Sequence, residues 1–295
     1  MLDAYHYIMN HILNPGRLFL GKMYTSLPLE SNRKMDQALD TFNEQLMHLI
    51  QQCKEEKSGH TTFEEKEQSL LQMMVNSVDE EGSGLTNSEL KDNCAVFFLA
   101  GHETTASALS SLFYSLAKNP HVQDKLYEEI CSTFSNDETS VINYQKLHDM
   151  PYLECVLKEN LRLYPPIALL PGRMLQSSQV IDGYKVPKGF VVSLNIFSLH
   201  RNPQVWGEDA EEFRPERFME NIYPPFALAP FGGGPRLCIG KQFSLTEQKA
   251  FAVTLLKRFK IELLHPGQVM HFNKNTPSLA PVEDFKLKLV RRFDY

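Results

Sequence analysis

Between Asn32 and Lys57 the apolar or small residues fall at Met35, Ala38, Leu39, Phe42, Leu46, Leu49 and Ile50. This is helical spacing with a polar reverse face, and it predicts a surface helix. Thr86 and Glu89 form a T-x-x-E capping box, and the pattern then runs without proline to Asn119, which predicts a long central helix over about 86–118, roughly 50 Å from end to end. Asn119-Pro120 offers a capping side chain and a first-turn proline for another helix ending near Phe134. Pro151 opens a further one, about 151–164, with Leu153, Val156, Leu157, Leu161 and Tyr164 on one face and Pro165-Pro166 as its stop. Beyond it the period shortens. Val180-Ile181, a turn at Asp182-Gly183, Tyr184–Val186 and Phe190–Ile196 read as short strands. A proline- and glycine-rich coil follows from Asn202 to Gly240, then a last helix over about 244–259 and a C-terminal hairpin ending near Val290. The pattern predicts a mainly α fold with a minor β sheet. Asp79–Gly84 and Ser135–Ser140 read as exposed loops, and with neither repeat nor linker the chain 1–295 reads as a single domain.

Composition narrows the class. Apolar residues are 42% and charged residues 22% of the 295, enough for a sizeable core and too ordered a mixture for a disordered or low-complexity chain. Lys and Arg total 30 against 36 Asp and Glu, a net charge of −6, so nucleic acid is not the expected partner. Cysteines at 53, 94, 131, 155 and 238 form no C-x-x-C pair, which argues against a zinc knuckle or a secreted disulfide framework and for reduced, intracellular thiols. The first residues lack the layout of a signal peptide. The apolar stretch Cys94–Gly101 is far shorter than the roughly 18 residues a membrane span needs.

Three segments carry candidate chemistry. In FGGGPRLCIG, Phe231–Gly240, one cysteine sits among four glycines and an arginine just before a helix. Backbone N–H groups and the positive helix end both favour a thiolate there, and such a thiolate can be an axial metal ligand. A bland cysteine in a glycine turn is the competing reading, and a phosphate cradle lacks the GK[ST] ending. Glu159 and Arg162 share one helix face at E-x-x-R spacing, a pattern usually seen in solvated surface pairs. AGHETT, Ala100–Thr105, puts small residues and a polar patch into the long helix. Glu103 and Thr104 there could relay protons, although a hydroxyl bonded back to its own helix explains the threonine as well. A zinc-protease reading of His102-Glu103 fails because Ala106 stands where a second histidine is needed.

Taken together, in this order and spacing, the segments resemble the cytochrome P-450 monooxygenases. The signature F-x-x-G-x-R-x-C-x-G is complete at Phe231, Gly234, Arg236, Cys238 and Gly240; [AG]-G-x-[DE]-T-[TS] is complete at Ala100–Thr105; E-x-x-R stands at Glu159 and Arg162; and P-E-R-F stands at Pro215–Phe218. The resemblance implies the cytochrome P-450 fold and a heme b (iron protoporphyrin IX) cofactor, with Cys238 as proximal thiolate on the iron. It implies that Glu103 and Thr104 organise protons during O2 activation, that Gly101 lets the long helix pass close to the heme, and that Glu159, Arg162 and Arg217 form a buried ion network behind the cysteine loop. Arg236 and Arg173 would meet the heme propionates, and Phe231 and Gly240 would pack around the thiolate. The implied activity is that of a heme-thiolate monooxygenase using O2 to oxidise a small apolar organic substrate. Its electrons would come from NADPH through a reductase, for whose docking Lys241 and Lys249 are candidates.

The family's early W-x-x-x-R pair has no counterpart. The single tryptophan, Trp206, lies in the coil before P-E-R-F and is followed four positions on by Ala210. By that resemblance the chain is N-terminally truncated, lacking early helices and any anchor, and a longer form would sit at the endoplasmic reticulum membrane. The alternative is a truncated, non-catalytic fragment that does not hold heme. A hydroperoxide-rearranging relative is disfavoured because Glu103 and Thr104 are both present.

Overall fold

Helices dominate the computed structural model, which describes residues 1–58, 68–134, 142–220, 223–273, 278–282 and 285–292. The Ser135–Ser140 loop expected from the sequence lies outside the described residues. By their contacts the described residues divide into two compact units, Met1–His102 and Glu103 onward.

The first unit holds α1 (Leu2–His11), α2 (Pro15–Leu20), α3 (Lys22–Thr25), α4 (Glu30–Ser58), α5 (Leu70–Asn76) and the opening turns of α6 (Asn87–Lys118). The Asn14 side chain starts α2 by accepting from the Gly16 amide at 2.8 Å. On α4 the buried stripe is Met35, Ala38, Phe42, Leu46, Ile50 and Cys53, whereas Leu39 and Leu49, expected on the same face, are exposed. Tyr5 and Met9 of α1 pack against Phe42 and Leu46 of this stripe, with Phe98 of α6 completing the cluster. The capping box of α6 forms in both directions: the Thr86 amide donates to Glu89 Oε2 at 2.8 Å and the Glu89 amide to Thr86 Oγ1 at 3.3 Å.

The second unit packs α7 (Pro120–Thr133), α8 (Tyr144–His148), α9 (Pro151–Leu163), the short α10 (Ile196–Leu199) and α11 (Pro203–Trp206), and α12 (Lys241–Arg258). Its core joins Leu112 and Leu116 of α6 to Leu126 and Ile130 of α7, Leu153, Val156 and Leu157 of α9, and Ala252, Val253 and Leu256 of α12. Burial of such side chains, each contributing roughly 1.5–3 kcal/mol, is the main driving force for their association. Asn160 locks α9 to α6, donating to the Ala108 carbonyl at 2.9 Å and to Ser111 Oγ at 3.2 Å.

Two terminal details differ from the sequence reading. Asn119 does not cap α7; its amide nitrogen donates back to the Ser115 carbonyl at 2.8 Å and closes the end of α6. The last helix begins at Lys241, directly after Gly240, because nothing in Lys241–Phe243 resists helical torsions.

The β content is three separate two-stranded antiparallel ladders. β1 (Arg173–Met174) pairs with β4 (Val191–Val192), and β2 (Gln179–Ile181) pairs with β3 (Tyr184–Val186). β5 (Phe259–Leu263) pairs with β6 (Leu287–Arg291). The β2–β3 turn at Asp182-Gly183 has φ of 48° and 80°, the primed geometry that matches strand twist. The apolar run Phe190–Ile196 yields only the two-residue β4, since Asn195 turns the chain into α10 by accepting from the Ser198 amide at 3.0 Å. Gln123 of α7, wholly buried, brackets Ile261 of β5: its Oε1 accepts from the Ile261 amide at 2.8 Å and its Nε2 donates to the Ile261 carbonyl at 2.9 Å. Among the described residues no helix is long and apolar enough to cross a membrane.

Candidate functional site

The cysteine segment is a tight loop rather than a continuation of either neighbour. Gly232 and Gly234 have φ of 73° and 64°, torsions that other residues adopt only with strain, and Gly234–Arg236 forms a single 3-10 turn. The Cys238 amide donates to the Phe231 carbonyl at 3.0 Å, closing the loop. At Gly240 an added Cβ would lie 3.9 Å from Cys238 Sγ, an ordinary contact, so the loop's own packing does not demand glycine there. The thiol is exposed. Around it stand apolar side chains that the chain does not cover, Leu237 at 48%, Ile239 at 85% and Phe243 at 74% exposure. Arg236 is exposed and has no ion-pair partner among the described residues; the same holds for Arg173, on β1.

The coil of residues 200–217, which precedes the loop in the chain, is held by a buried ion network. Glu159 and Arg162, both wholly buried, meet as a two-toothed fork, Nε to Oε2 at 2.7 Å and Nη2 to Oε1 at 2.9 Å. Arg162 Nη1 donates to the His200 and Ala210 carbonyls at 2.8 and 2.6 Å, and Nη2 donates to the Glu212 carbonyl at 3.1 Å. All five guanidinium N–H groups are thus used, which a lysine could not reproduce. Glu159 Oε1 also accepts from Arg217 Nε at 3.0 Å and from the Arg214 amide at 2.8 Å. Arg217 continues to the Trp206 and Asp209 carbonyls at 3.2 and 3.1 Å. One helix thereby holds the coil of residues 200–217 through charge and backbone together. Trp206 has a structural place here, buried beside Phe218 and with the Arg162 guanidinium 5.2 Å from its ring centre.

The AGHETT segment lies in α6. A Cβ added at Gly101 would meet nothing within 4 Å, so the chain's own packing does not demand glycine there. Glu103 is half-buried, and its carboxylate makes no ion pair among the described residues. Thr105, which sequence reasoning passed over, is buried and its hydroxyl lies 3.0 Å from Ser244 Oγ on α12; Gln248 Nε2 in turn donates to Ser244 Oγ at 3.0 Å. The signal was present, since Thr105 belongs to the motif and Ser244 stands six residues after Cys238, but no sequence pattern pairs them.

Two further contacts were not legible. Glu129 of α7 caps α9 from outside, accepting the Tyr152 and Leu153 amides at 2.8 Å each. His200 accepts the Ala229 amide on Nε2 at 2.8 Å. Of the two lysines expected at a docking surface, Lys249 is unavailable: it is buried and its Nζ lies 3.7 Å from Glu154.

The cytochrome P450 family model matches residues 2–289, well beyond the stretch that the motifs mark. Among curated proteins, cytochrome P450 3A56 of Fundulus heteroclitus is 38% identical over 245 residues, 80% of this chain and 48% of that protein. Cytochrome P450 3A29 of Sus scrofa is 43% identical over 221 residues, 72% of this chain and 43% of its own. Echinocystic acid 23-monooxygenase of Saponaria officinalis is 35% identical over 254 residues, 81% of this chain and 48% of its own. The chain spans about half the length of the curated relatives it matches. The matched span and the intact cysteine loop together establish that the chain belongs to the cytochrome P450 family.

Proposed function

We propose that this chain carries the heme-thiolate part of a monooxygenase, with Cys238 as axial ligand to the iron of heme b and O2 used to oxidise a small apolar organic substrate. Electrons come from NADPH through a reductase. The observation that carries the reading is the loop Phe231–Gly240. Its positive-φ glycines present an exposed thiol three residues before the start of an 18-residue helix. The neighbours in sequence suit a flat, apolar, iron-bearing ring: Leu237, Ile239 and Phe243 are uncovered apolar surface, and the exposed Arg236 is a cation suited to a carboxylate group, with Arg173 of β1 as the second candidate. When bound, heme supplies reductive activation of O2, which a thiolate ligand assists by donating electron density.

The chain's own residues divide the remaining work. Glu159, Arg162 and Arg217 keep the coil before the loop in one arrangement. Glu103, half-buried and without an ion pair among the described residues, and the neighbouring Thr104 hydroxyl are the side chains assigned to proton delivery. Gly232 and Gly234 hold the loop's turn, and Phe231 closes it through its carbonyl.

The test is spectroscopic. The full chain supplied with heme, reduced and exposed to carbon monoxide, is expected to give the spectrum of thiolate ligation, and Cys238→Ser is expected to lose it. A wild-type spectrum from that variant overturns the ligand assignment. Failure of the unsubstituted chain to take up heme at one equivalent favours the non-catalytic reading.

A further inference from the structure

His200 closes α10 and is wholly buried. Its ring receives the Ala229 amide on Nε2 at 2.8 Å. A nitrogen that accepts a hydrogen bond carries no proton, so the neutral ring must carry its proton on Nδ1. The Leu161 and Arg162 backbone at the end of α9 favours protonation of the ring, yet among the described residues Nδ1 meets no acceptor at hydrogen-bond geometry. The carbonyl of the same residue accepts from Arg162 Nη1 at 2.8 Å. His200 is therefore attached at one end to the buried ion network and at the other to a backbone amide two residues before Phe231, where the cysteine loop begins. A core filler would be simpler without the ring. An apolar side chain of similar size would leave no unmet Nδ1–H, and retaining an imidazole costs desolvation that only a specific contact offsets.

We propose that His200 is a positioning residue for the cysteine ligand: as the Nδ1-protonated neutral tautomer it holds the Ala229 amide and so fixes the approach of the chain to Phe231–Gly240, transmitting the order of the Glu159–Arg162 network to Cys238. This rests on the reading of Cys238 as the axial ligand. Burial, together with the positive charges of Arg162 and Arg201, pushes the ring pKa down to about 4, which keeps the accepting form in place at neutral pH.

Three measurements on the full chain test the proposal. Nitrogen NMR of labelled histidine in the unsubstituted protein reads the tautomer directly and is expected to show protonated Nδ1; a protonated Nε2 overturns the proposal. Hydrogen exchange over residues 227–238 is expected to accelerate about tenfold in His200→Phe, the scale of one lost buried hydrogen bond, and to stay near the unsubstituted rate in His200→Gln, whose amide oxygen reaches the same donor. The carbon monoxide spectrum is expected to show a raised fraction without thiolate ligation in His200→Phe and a restored one in His200→Gln. Unchanged exchange and an unchanged thiolate fraction in His200→Phe overturn the positioning role. Cys238→Ser separates the two readings. If it keeps the thiolate-type spectrum, the ligand assignment fails while the exchange and tautomer results still judge the contact between His200 and Ala229.

Discussion

Glu159 is the point on which two buried guanidinium groups and a backbone amide converge, so neutralising it strands positive charge in the interior. Glu159→Gln is expected to lower unfolding stability by ~3–5 kcal/mol, read as a shift in urea midpoint. Arg162→Lys is expected to lose a comparable amount, because one ammonium cannot replace five directed donors. A second residue-scale effect concerns acid. His200 has a folded-state pKa of about 4 against an ordinary 6.5, so as pH falls the unfolded chain takes up the proton first. Its contribution is complete above about pH 6.5, is lost as pH falls toward about 4, and loses no more below that, roughly 3 kcal/mol in all. The carboxyls of Glu154 and Glu216, held low by hydrogen bonds to Lys158 and to Lys125, work against their own burial and add losses at lower pH. Subtracting the urea-midpoint profile of His200→Gln isolates the histidine. A parent-like slope between pH 6.5 and 4 in that variant would contradict the assignment. Sequence alone exposed the Glu159–Arg162 spacing, since i and i+3 share a face in any helix. It could not expose the burial that turns a surface pair into a network, because the carbonyls of His200, Ala210 and Glu212 arrive from a coil without periodicity.

At the scale of elements, α6 and α12 are tied by Thr105, Ser244 and Gln248. The tie bears on function because α12 begins three residues after Cys238 and Thr105 adjoins Thr104. Thr105→Val and Ser244→Ala are each expected to destabilise, and a double-mutant cycle is expected to show a coupling of about 0.5–1.5 kcal/mol in thermal or urea unfolding; strict additivity would dissolve the tie. The long helix, its capping box and the α9 helix were legible because caps and proline breaks are local. The closing of α6 by Asn119 and the capping of α9 by Glu129 were not, since both depend on which donors the neighbouring chain leaves unmet. The apolar run Phe190–Ile196 misled for a related reason: Asn195 can start a helix inside a stretch whose composition favours a strand.

For the whole molecule, the mixture of 42% apolar residues and a net charge of −6 suits many folds, and only the ordered motifs singled out this family. The cysteine loop and the first turn after it carry uncovered apolar surface at Leu237, Ile239 and Phe243 and an exposed cation, Arg236. Added heme is therefore expected to stabilise the chain, by about 2.7 kcal/mol when free heme exceeds its dissociation constant a hundredfold. Thermal unfolding reads this as an upward shift that is smaller in Cys238→Ser, and an equal shift in both proteins would point to nonspecific uptake. The bracket that Gln123 places on Ile261 has a consequence of another kind. Among the described residues β5 has one strand partner, β6, and without Gln123 its other side would offer a template to an extended segment from a second molecule. The side-chain amide already occupies the donor and acceptor at the middle of that margin, so intermolecular strand addition, and the aggregation it seeds, finds its first foothold taken.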